Sequence, residues 1–146
     1  MVVPTSVGLP AVLNASTSSI NETGSLLFEI HTTSVSNGTT LYWTGSGTSN
    51  SSDFTDLKNS GSFTITNGTG SVTRSIVADK TTEGPETFVL NIKVDSITGY
   101  TVATSSVITI NDTSLDPTYI IIPSTSSINE GETLLFEIHT TFVDNG

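Results

Sequence analysis

Two histidines are the side chains in this sequence best suited to metal binding or acid–base chemistry. His31 and His139 each follow a glutamate, Glu29 or Glu137, by two residues, so the pair shares one face if the segment is a strand. A zinc site or a catalytic centre needs a third ligand or a nucleophile nearby, and the sequence indicates neither. We therefore predict that both histidines are exposed on strands.

The other reactive residue types do not form a catalytic motif. Serine is abundant, but there is no G-x-S-x-G nucleophile elbow and no arrangement typical of a catalytic triad. The carboxylates fall in predicted turns, as surface residues do, although a carboxylate pair for glycoside hydrolysis is compatible with the sequence. We predict a protein that is not an enzyme and has no catalytic residues, and a polysaccharide-degrading domain is the third alternative.

A repeated segment organises the chain. Residues 16–38 recur 108 residues later as residues 124–146, and 18 of the 23 aligned positions are identical. The first copy continues into the apolar run Leu41-Tyr42-Trp43, and the second copy ends before that point. Since a fixed period indicates one folding unit used repeatedly, we expect one whole repeat and the first part of another, as in a longer array.

Composition and charge restrict the class of protein. Only 34% of the 146 residues are hydrophobic, and the abundance of Thr, Val, Ile, Asn and Gly favours an all-β fold. The net charge is −10, and the basic residues are scattered: Lys58, Arg74, Lys80 and Lys93. This distribution argues against binding to nucleic acid or to an anionic membrane surface. Without cysteine, the chain has no disulfide and no thiolate metal site.

Neither a membrane span nor a signal peptide is predicted. No apolar run approaches the roughly 20 residues of a spanning helix. The first 14 residues lack a basic segment and a continuous apolar core, so they do not resemble a signal peptide. We therefore predict no membrane insertion.

Alternation of apolar and polar residues predicts seven short strands. Residues 87–94 give the clearest pattern, with Phe88, Leu90 and Ile92 on one face. Asn and Gly at positions 67–70 mark a hairpin turn. Seven strands separated by turns predict an immunoglobulin-like two-sheet sandwich. The predicted strands are residues 11–21 with a break near 16–18, 25–33, 40–44, 62–66, 72–78, 87–94 and 103–111.

The predicted organisation has three parts. Residues 1–10 form an extended arm, residues 11–115 the complete sandwich, and residues 116–146 a linker with the opening strands of a second repeat. Two strands alone are marginally stable in water. The second set therefore packs on the first repeat, pairs with another molecule, or belongs to a domain whose remainder is absent, and the sequence leaves these alternatives open.

Several spaced motifs resemble the Calx-β domain. The run 82–88, Thr-Glu-Gly-Pro-Glu-Thr-Phe, resembles the EGxExF signature of that family. Ile-Asn-Glu at 20–22 and again at 128–130 resembles its opening element. Residues 52–54 resemble its Asp-aromatic pair, and residues 61–65 the strand that follows. The resemblance implies a Calx-β type of immunoglobulin-like sandwich.

A narrower resemblance concerns one branch of these repeats. The runs at 37–44 and 110–114 are similar to Ser/Thr-rich Calx-β-like repeats in large virion proteins of tailed phages that infect marine cyanobacteria. This resemblance implies a non-enzymatic tail, fibre or capsid-appendage component located in the virion. Its implied partners are other copies of itself or neighbouring virion proteins, with a host-surface glycan as a further partner.

The Calx-β resemblance also implies a calcium site. The positions that match the family's ligands are Glu22, Asp53, Asp79, Glu83 and Asp112. Calcium needs six to eight oxygen ligands that converge from different loops. Ala78 and Asn111 stand where calcium-binding members often carry further aspartates, which favours solvated loop carboxylates over a bound ion. With calcium bound, the alternative function is an adhesion module on a bacterial cell surface.

Trp43 and Tyr42 allow one more interpretation. An aromatic face suits the apolar face of a sugar ring, so the pair could form a platform for a glycan. The interpretation that we favour is that Trp43 is the core tryptophan of the sandwich.

Overall fold

A computed structural model describes residues 11–79 and 81–142 of the chain. The predicted arm, residues 1–10, lies outside the described residues. The strands in chain order are β1 Ala11–Ala15, β2 Ser19–Asn21, β3 Ser25–Thr32, β4 Thr40–Gly47, β5 Ser60–Thr64, β6 Thr69–Ser75, β7 Glu86–Lys93, β8 Thr101–Thr104, β9 Ile108–Asn111, β10 Thr118–Pro123 and β11 Phe136–Thr141. The described residues contain one 3-10 turn, Ser51–Asp53, and no α-helix, which confirms the all-β prediction.

The chain divides into two compact units. Within the described residues, the first unit comprises 11–79 and 83–113, and the second comprises 81–82 and 114–142. The first unit has one sheet in the order β1-β3-β6 and another in the order β2-β9-β7-β4-β5, with β8 paired to β7. This arrangement is consistent with a β-sandwich. The described part of the chain has no helix long and apolar enough to cross a membrane.

The first unit has nine strands in its described residues, and the sequence predicted about seven, because two predicted strands are each divided. The first crosses between sheets: β1 pairs with β3, whereas β2 pairs in parallel with β9. The last predicted strand is interrupted at the buried Ser105, which bonds to Leu90 of β7 partly through its side chain. Its N–H donates to the Leu90 carbonyl over 2.9 Å, and its hydroxyl accepts the Leu90 N–H over 3.0 Å.

The core lies between the two sheets. The alternation on β3 and β7 buries the apolar residues on one face of each strand, including Phe28 and Phe88, whose ring centroids are 5.9 Å apart. Phe54 packs edge-on against Phe88 with 5.0 Å between centroids. Trp43 is only 6% exposed, so the core interpretation of this tryptophan is confirmed and the sugar platform is wrong.

Arg74, one of the four scattered basic residues of the sequence, lies in the core. It is 1% exposed, and its guanidinium carbon lies 4.7 Å from the Trp43 ring centroid and 4.1 Å from that of Phe54. One terminal nitrogen donates to both carboxylate oxygens of Asp56 over 3.0 and 2.8 Å. The other donates to the Lys58 carbonyl. The cation is thus compensated inside an otherwise apolar layer.

The second unit contains the hairpin of β10 and β11. Its register repeats that of β1 and β3 with a shift of 108 residues, since Tyr119 pairs with Thr140 as Ala11 pairs with Thr32. Its side chains are far more exposed: Ile138 is 66% exposed, whereas Ile30 at the same repeat position is 0% exposed. The opening strands of the repeat are therefore copied in geometry but not in burial.

Candidate functional site

A small acidic cavity lies at one end of the first unit. Its volume is about 10 Å³, which is room for about one water molecule or one ion. The side chains that line it include six carboxylates, namely Glu22, Asp53, Asp79, Glu83, Glu86 and Asp112. All five residues that the Calx-β resemblance indicated as calcium ligands are therefore brought to one cavity.

The ends of strands and their loops position these carboxylates. Glu22 directly follows β2 and Asp112 directly follows β9, so the parallel pairing of these two strands places them together. The Glu22 N–H donates to the Asn111 carbonyl over 3.3 Å, which continues the ladder by one residue. Asp53 ends the 3-10 turn, where its carboxylate accepts the Asn50 N–H of a capping box.

Backbone N–H groups also hold the Asp112 carboxylate. One of its oxygens accepts the N–H groups of Glu83 and Gly84, each over 2.7 Å. Gly84 has a φ of 89°, a conformation that glycine adopts without steric cost. These bonds fold the loop before β7 back over the cavity and carry Glu83 with it.

Three of the carboxylates are close enough to contact a single ion. Asp53, Glu83 and Glu86 each offer an oxygen, and these oxygens all lie within 4.8 Å of one another. Calcium–oxygen bonds of 2.3–2.6 Å span this separation from a central position. Of the three, Asp53 and Glu86 are partly buried and Glu83 is exposed, so the triad opens to solvent on one side.

The concentration of negative charge disfavours ionisation of two glutamates. Burial raises the pKa of Glu86 to about 7, and the charge of Asp53, together with a hydrogen bond to it, adds to the effect. The Asp79 charge raises the pKa of Glu83, with smaller contributions from burial, Asp53, Asp112 and Glu22. A divalent cation would offset this repulsion, because opposite charge favours the ionised form.

Glu86 is the one of the six cavity carboxylates that the Calx-β resemblance did not indicate as a calcium ligand. The sequence contains a signal for it: Glu86 precedes Phe88 by two residues, so it falls on the same strand face as Phe88, Leu90 and Ile92. A carboxylate at the start of a buried face is unusual and indicates a partner. Asn111, in contrast, does not line the cavity, and its amide donates to Ser19 and Asn21 across β2, each over 3.0 Å.

The histidines are on exposed strand positions, as predicted. His31 lies on the outer face of β3, and His139 lies 3.3 Å from Glu137 on β11. In the described ranges, the cluster of three metal-competent side chains contains no histidine. The candidate site is therefore built from carboxylates alone, a ligand set typical of hard cations such as calcium.

No protein-family model matches this chain, and no curated protein matches its sequence. The fold and the site therefore define the class by themselves: an all-β protein consistent with a β-sandwich, with an acidic cavity at one end of its first unit.

We expect the chain to melt at higher temperature as the pH falls towards 5 when no calcium is present. The pKa of Glu86 is about 7 in the folded chain and 4.5 ordinarily, so the folded state binds more protons than the unfolded state between these values. Its free energy of unfolding then rises as the pH falls through that window and declines as the pH rises through it.

Calorimetry in chelator at about pH 5.5 and about pH 7.5 measures this effect. Glu86→Gln should remove most of the difference, whereas Glu29→Gln, on the exposed face of β3, should retain it. A melting temperature that falls with falling pH across this window would contradict the assignment.

Proposed function

We propose that this chain is a non-enzymatic structural module from an array of immunoglobulin-like sandwiches of the Calx-β type. The observation that carries the proposal is the register of the second unit. The hairpin of β10 and β11 repeats the pairing of β1 and β3 residue by residue. Hydrogen bonds next to the strands recur as well: Ser124 donates to Leu135 over 2.8 Å, as Ser16 does to Leu27.

The setting that the sequence resemblance implies is a phage virion, as part of a tail, a fibre or a capsid appendage. In such a particle, repeated sandwiches extend a rod or decorate a shell, and each unit contacts mainly its neighbours. Strand edges join units through main-chain hydrogen bonds, which need no catalytic residue. Its partners are then other copies of the chain or neighbouring virion proteins, and a host glycan is a further candidate.

Proteins with one, two and three copies of the 108-residue period test the structural role. We expect the maximum dimension in small-angle scattering to grow by an equal increment with each added copy, because every copy repeats the same junction. Each copy should also bury its isoleucine at the repeat position shared by Ile30 and Ile138. A particle that grows equally in all directions, or copies that fail to fold, would contradict the proposal.

The second candidate is a calcium-binding adhesion module of a bacterial surface protein, and the acidic cavity favours it. Three carboxylates close enough to contact one ion, with three more that line the same cavity, supply the oxygen chemistry that calcium prefers. The ion would stiffen the loops that meet at this end of the first unit. Isothermal titration with CaCl₂ tests the candidate, and the expected result is saturable binding that Glu86→Gln and Asp53→Asn each weaken.

A further inference from the structure

An open groove on the first unit lies between β5 and β6. Each of these strands is the last of its sheet, and a short turn joins them. The turn is closed by Thr66 and Thr69, which exchange backbone hydrogen bonds of 2.8 and 3.0 Å. Beyond this closure the two strands form no ladder with each other in the described residues, because they belong to different sheets.

The groove has a volume of about 420 Å³, which is in the range of small-molecule sites. At the end away from the turn, the Thr55 N–H donates to the Ser75 carbonyl over 3.0 Å. The groove is therefore bounded at both ends, and an added strand cannot run through it. We call it the β5–β6 groove, and it is lined by residues 61–62, residues 71–74, Trp43, Asp56 and Lys58.

Backbone groups of β6 face this groove. Ile76, just after β6, donates its N–H to the Gly24 carbonyl over 2.9 Å, on the side of β3. Alternate residues of a strand point in opposite directions. The N–H and carbonyl groups of Ser71 and Thr73 therefore point to the other edge, where no strand pairs with them in the described part of the chain.

Two buried side chains of the groove carry N–H groups that have no acceptor in the described residues. The Nε atom of Arg74 is one, although this residue is only 1% exposed. The indole N–H of Trp43 is the other. Its nitrogen edge lies beside Gly61, where a Cβ atom would come within 2.6 Å of the nitrogen, so the missing side chain leaves this edge open. Buried donors are normally satisfied, so these two indicate an acceptor from outside the chain.

The polar groups of the groove suit an uncharged ligand with several hydroxyls. The Asp56 carboxylate is 43% exposed and is paired with Arg74, and Lys58 is the other charged residue that lines the groove. The whole chain has a net charge of −10, which disfavours the approach of an acidic ligand. A hydroxyl both donates and accepts, so the hydroxyls of one sugar match the N–H donors and the carboxylate together.

We propose that the β5–β6 groove binds a neutral sugar residue of a glycan. Sugar oxygens accept the Trp43 indole N–H and the Ser71 backbone N–H, and a sugar hydroxyl donates to Asp56. The sugar contacts only the nitrogen edge of Trp43, because this residue is otherwise buried in the core. The proposal deepens the structural role proposed above, on which it rests, by naming the chemical class of the host ligand and its site.

Titration of the full 146-residue chain with four neutral sugars tests the proposal. Trp43 is the single tryptophan, so its fluorescence reports on the groove. D-glucose, D-galactose, D-mannose and N-acetyl-D-glucosamine are the probes, and we expect a saturable change with at least one of them. The acidic counterpart of a sugar that binds, such as D-glucuronate for D-glucose, should bind more weakly because of the negative net charge.

Substitutions at Ser71 test the contact with the backbone. Ser71→Pro removes the N–H that faces the groove, and proline is tolerated at a strand edge whose N–H is unpaired. Loss of one hydrogen bond should raise the sugar dissociation constant about fivefold. Ser71→Ala keeps this N–H and is the matched control, so its dissociation constant should stay within about twofold of the original. Urea denaturation verifies that both variants are folded.

Nuclear magnetic resonance of the unaltered chain tests the same contact without a substitution. The amide chemical shifts of Ser71 and Thr73 should change with the same midpoint as the fluorescence. Three results would overturn the proposal: no saturable change with any of the four sugars, tighter binding of the acidic counterpart, or sugar-dependent shifts confined to residues outside the groove. The tandem-copy scattering experiment contains no sugar, so failure of this site and failure of the structural role are distinguishable.

Discussion

Saturating calcium is expected to raise the melting temperature of this chain by on the order of 10 °C. A ligand that binds only the folded state, at 100 times its dissociation constant, stabilises that state by about 2.7 kcal/mol. In a domain of about 100 residues, each 1 kcal/mol raises the melting temperature by roughly 4–8 °C. The six carboxylates of the cavity should account for the rise, because they are the charges that an ion there would offset.

Two conservative variants distinguish a calcium site from ordinary loop carboxylates. Glu86→Gln removes a carboxyl whose pKa is raised to about 7, so it should stabilise the calcium-free chain while reducing the response to calcium. Asp53→Asn keeps an oxygen that can accept the Asn50 N–H of the capping box, so the loop should stay folded while one ligand charge is lost. If these two carboxylates have a purely structural role, neither variant should change the effect of calcium on the melting temperature.

Controls separate specific binding from screening of the net charge of −10. Sodium chloride at matched ionic strength measures screening alone, since exposed charges respond to any salt. Magnesium tests selectivity, because it demands a near-ideal octahedral site. Glu29→Gln removes an exposed acid of β3 that does not line the cavity. If calcium raises the melting temperature no more than sodium chloride does, the calcium candidate fails.

The second large effect is expected at Arg74. Arg74→Ala should lower the free energy of unfolding by about 2–5 kcal/mol, since truncation of this buried side chain opens a cavity beside two aromatic rings. It also removes an ion pair in which the guanidinium is buried and the Asp56 carboxylate is partly exposed. Arg74 is 1% exposed, and its guanidinium carbon lies 4.7 Å from the Trp43 ring centroid and 4.1 Å from that of Phe54. Urea denaturation followed by Trp43 fluorescence measures the loss.

Matched changes at its partners show what the arginine contributes. Asp56→Asn should cost less than Arg74→Ala, because Asp56 is 43% exposed and asparagine still offers an oxygen to the guanidinium. Lys58→Ala should have little effect, since Arg74 contacts only the carbonyl of that residue. A loss at Lys58 equal to that at Arg74 would mean that the loop charge, and not the buried cation, stabilises this region.

The Arg74 pair also has a pH dependence of its own. Burial by itself would raise the pKa of Asp56, but the hydrogen bonds from Arg74 and Lys58 outweigh it and hold the pKa below its ordinary 3.8. The stabilisation is therefore present above that pH and is lost as the pH falls below it. This window lies below that of Glu86, so the two effects can be measured separately.

Much of the architecture follows from local sequence. The alternation of Phe88, Leu90 and Ile92 predicts a strand with one buried face, and that face is fully buried. The repeated segment predicts that β10 and β11 pair as β1 and β3 do, and they share one register. The division between β1 and β2 depends on which sheet each segment joins, whereas β8 and β9 both pair with β7 and are divided at Ser105, whose hydroxyl accepts the Leu90 N–H. A break near residues 16–18 was predicted, whereas the one at Ser105 was not.

The candidate site was only partly predictable. Its five expected residues do line one cavity, but that prediction came from a family resemblance and not from spacing along the chain. Glu86 is not recognised as a ligand from the sequence, because that role requires its side chain to lie on the inward face of β7, next to Asp53 of a separate turn. The burial of Arg74 is hidden in the same way, because a scattered basic residue looks exposed until Val72 on β6 and Ile76, just after β6, are seen to be buried.

By itself, the sequence determined the all-β class, the repeat and the strands with the clearest alternation, because alternation and self-similarity are local properties of a chain. Only the tertiary structure decided that Glu22 and Asp112 share a cavity, since that requires the parallel pairing of β2 with β9. It also decided the burial of Arg74 and the exposure of Ile138. Burial depends on which surfaces meet, and identical segments differ in burial when only one of them is covered by an opposing sheet.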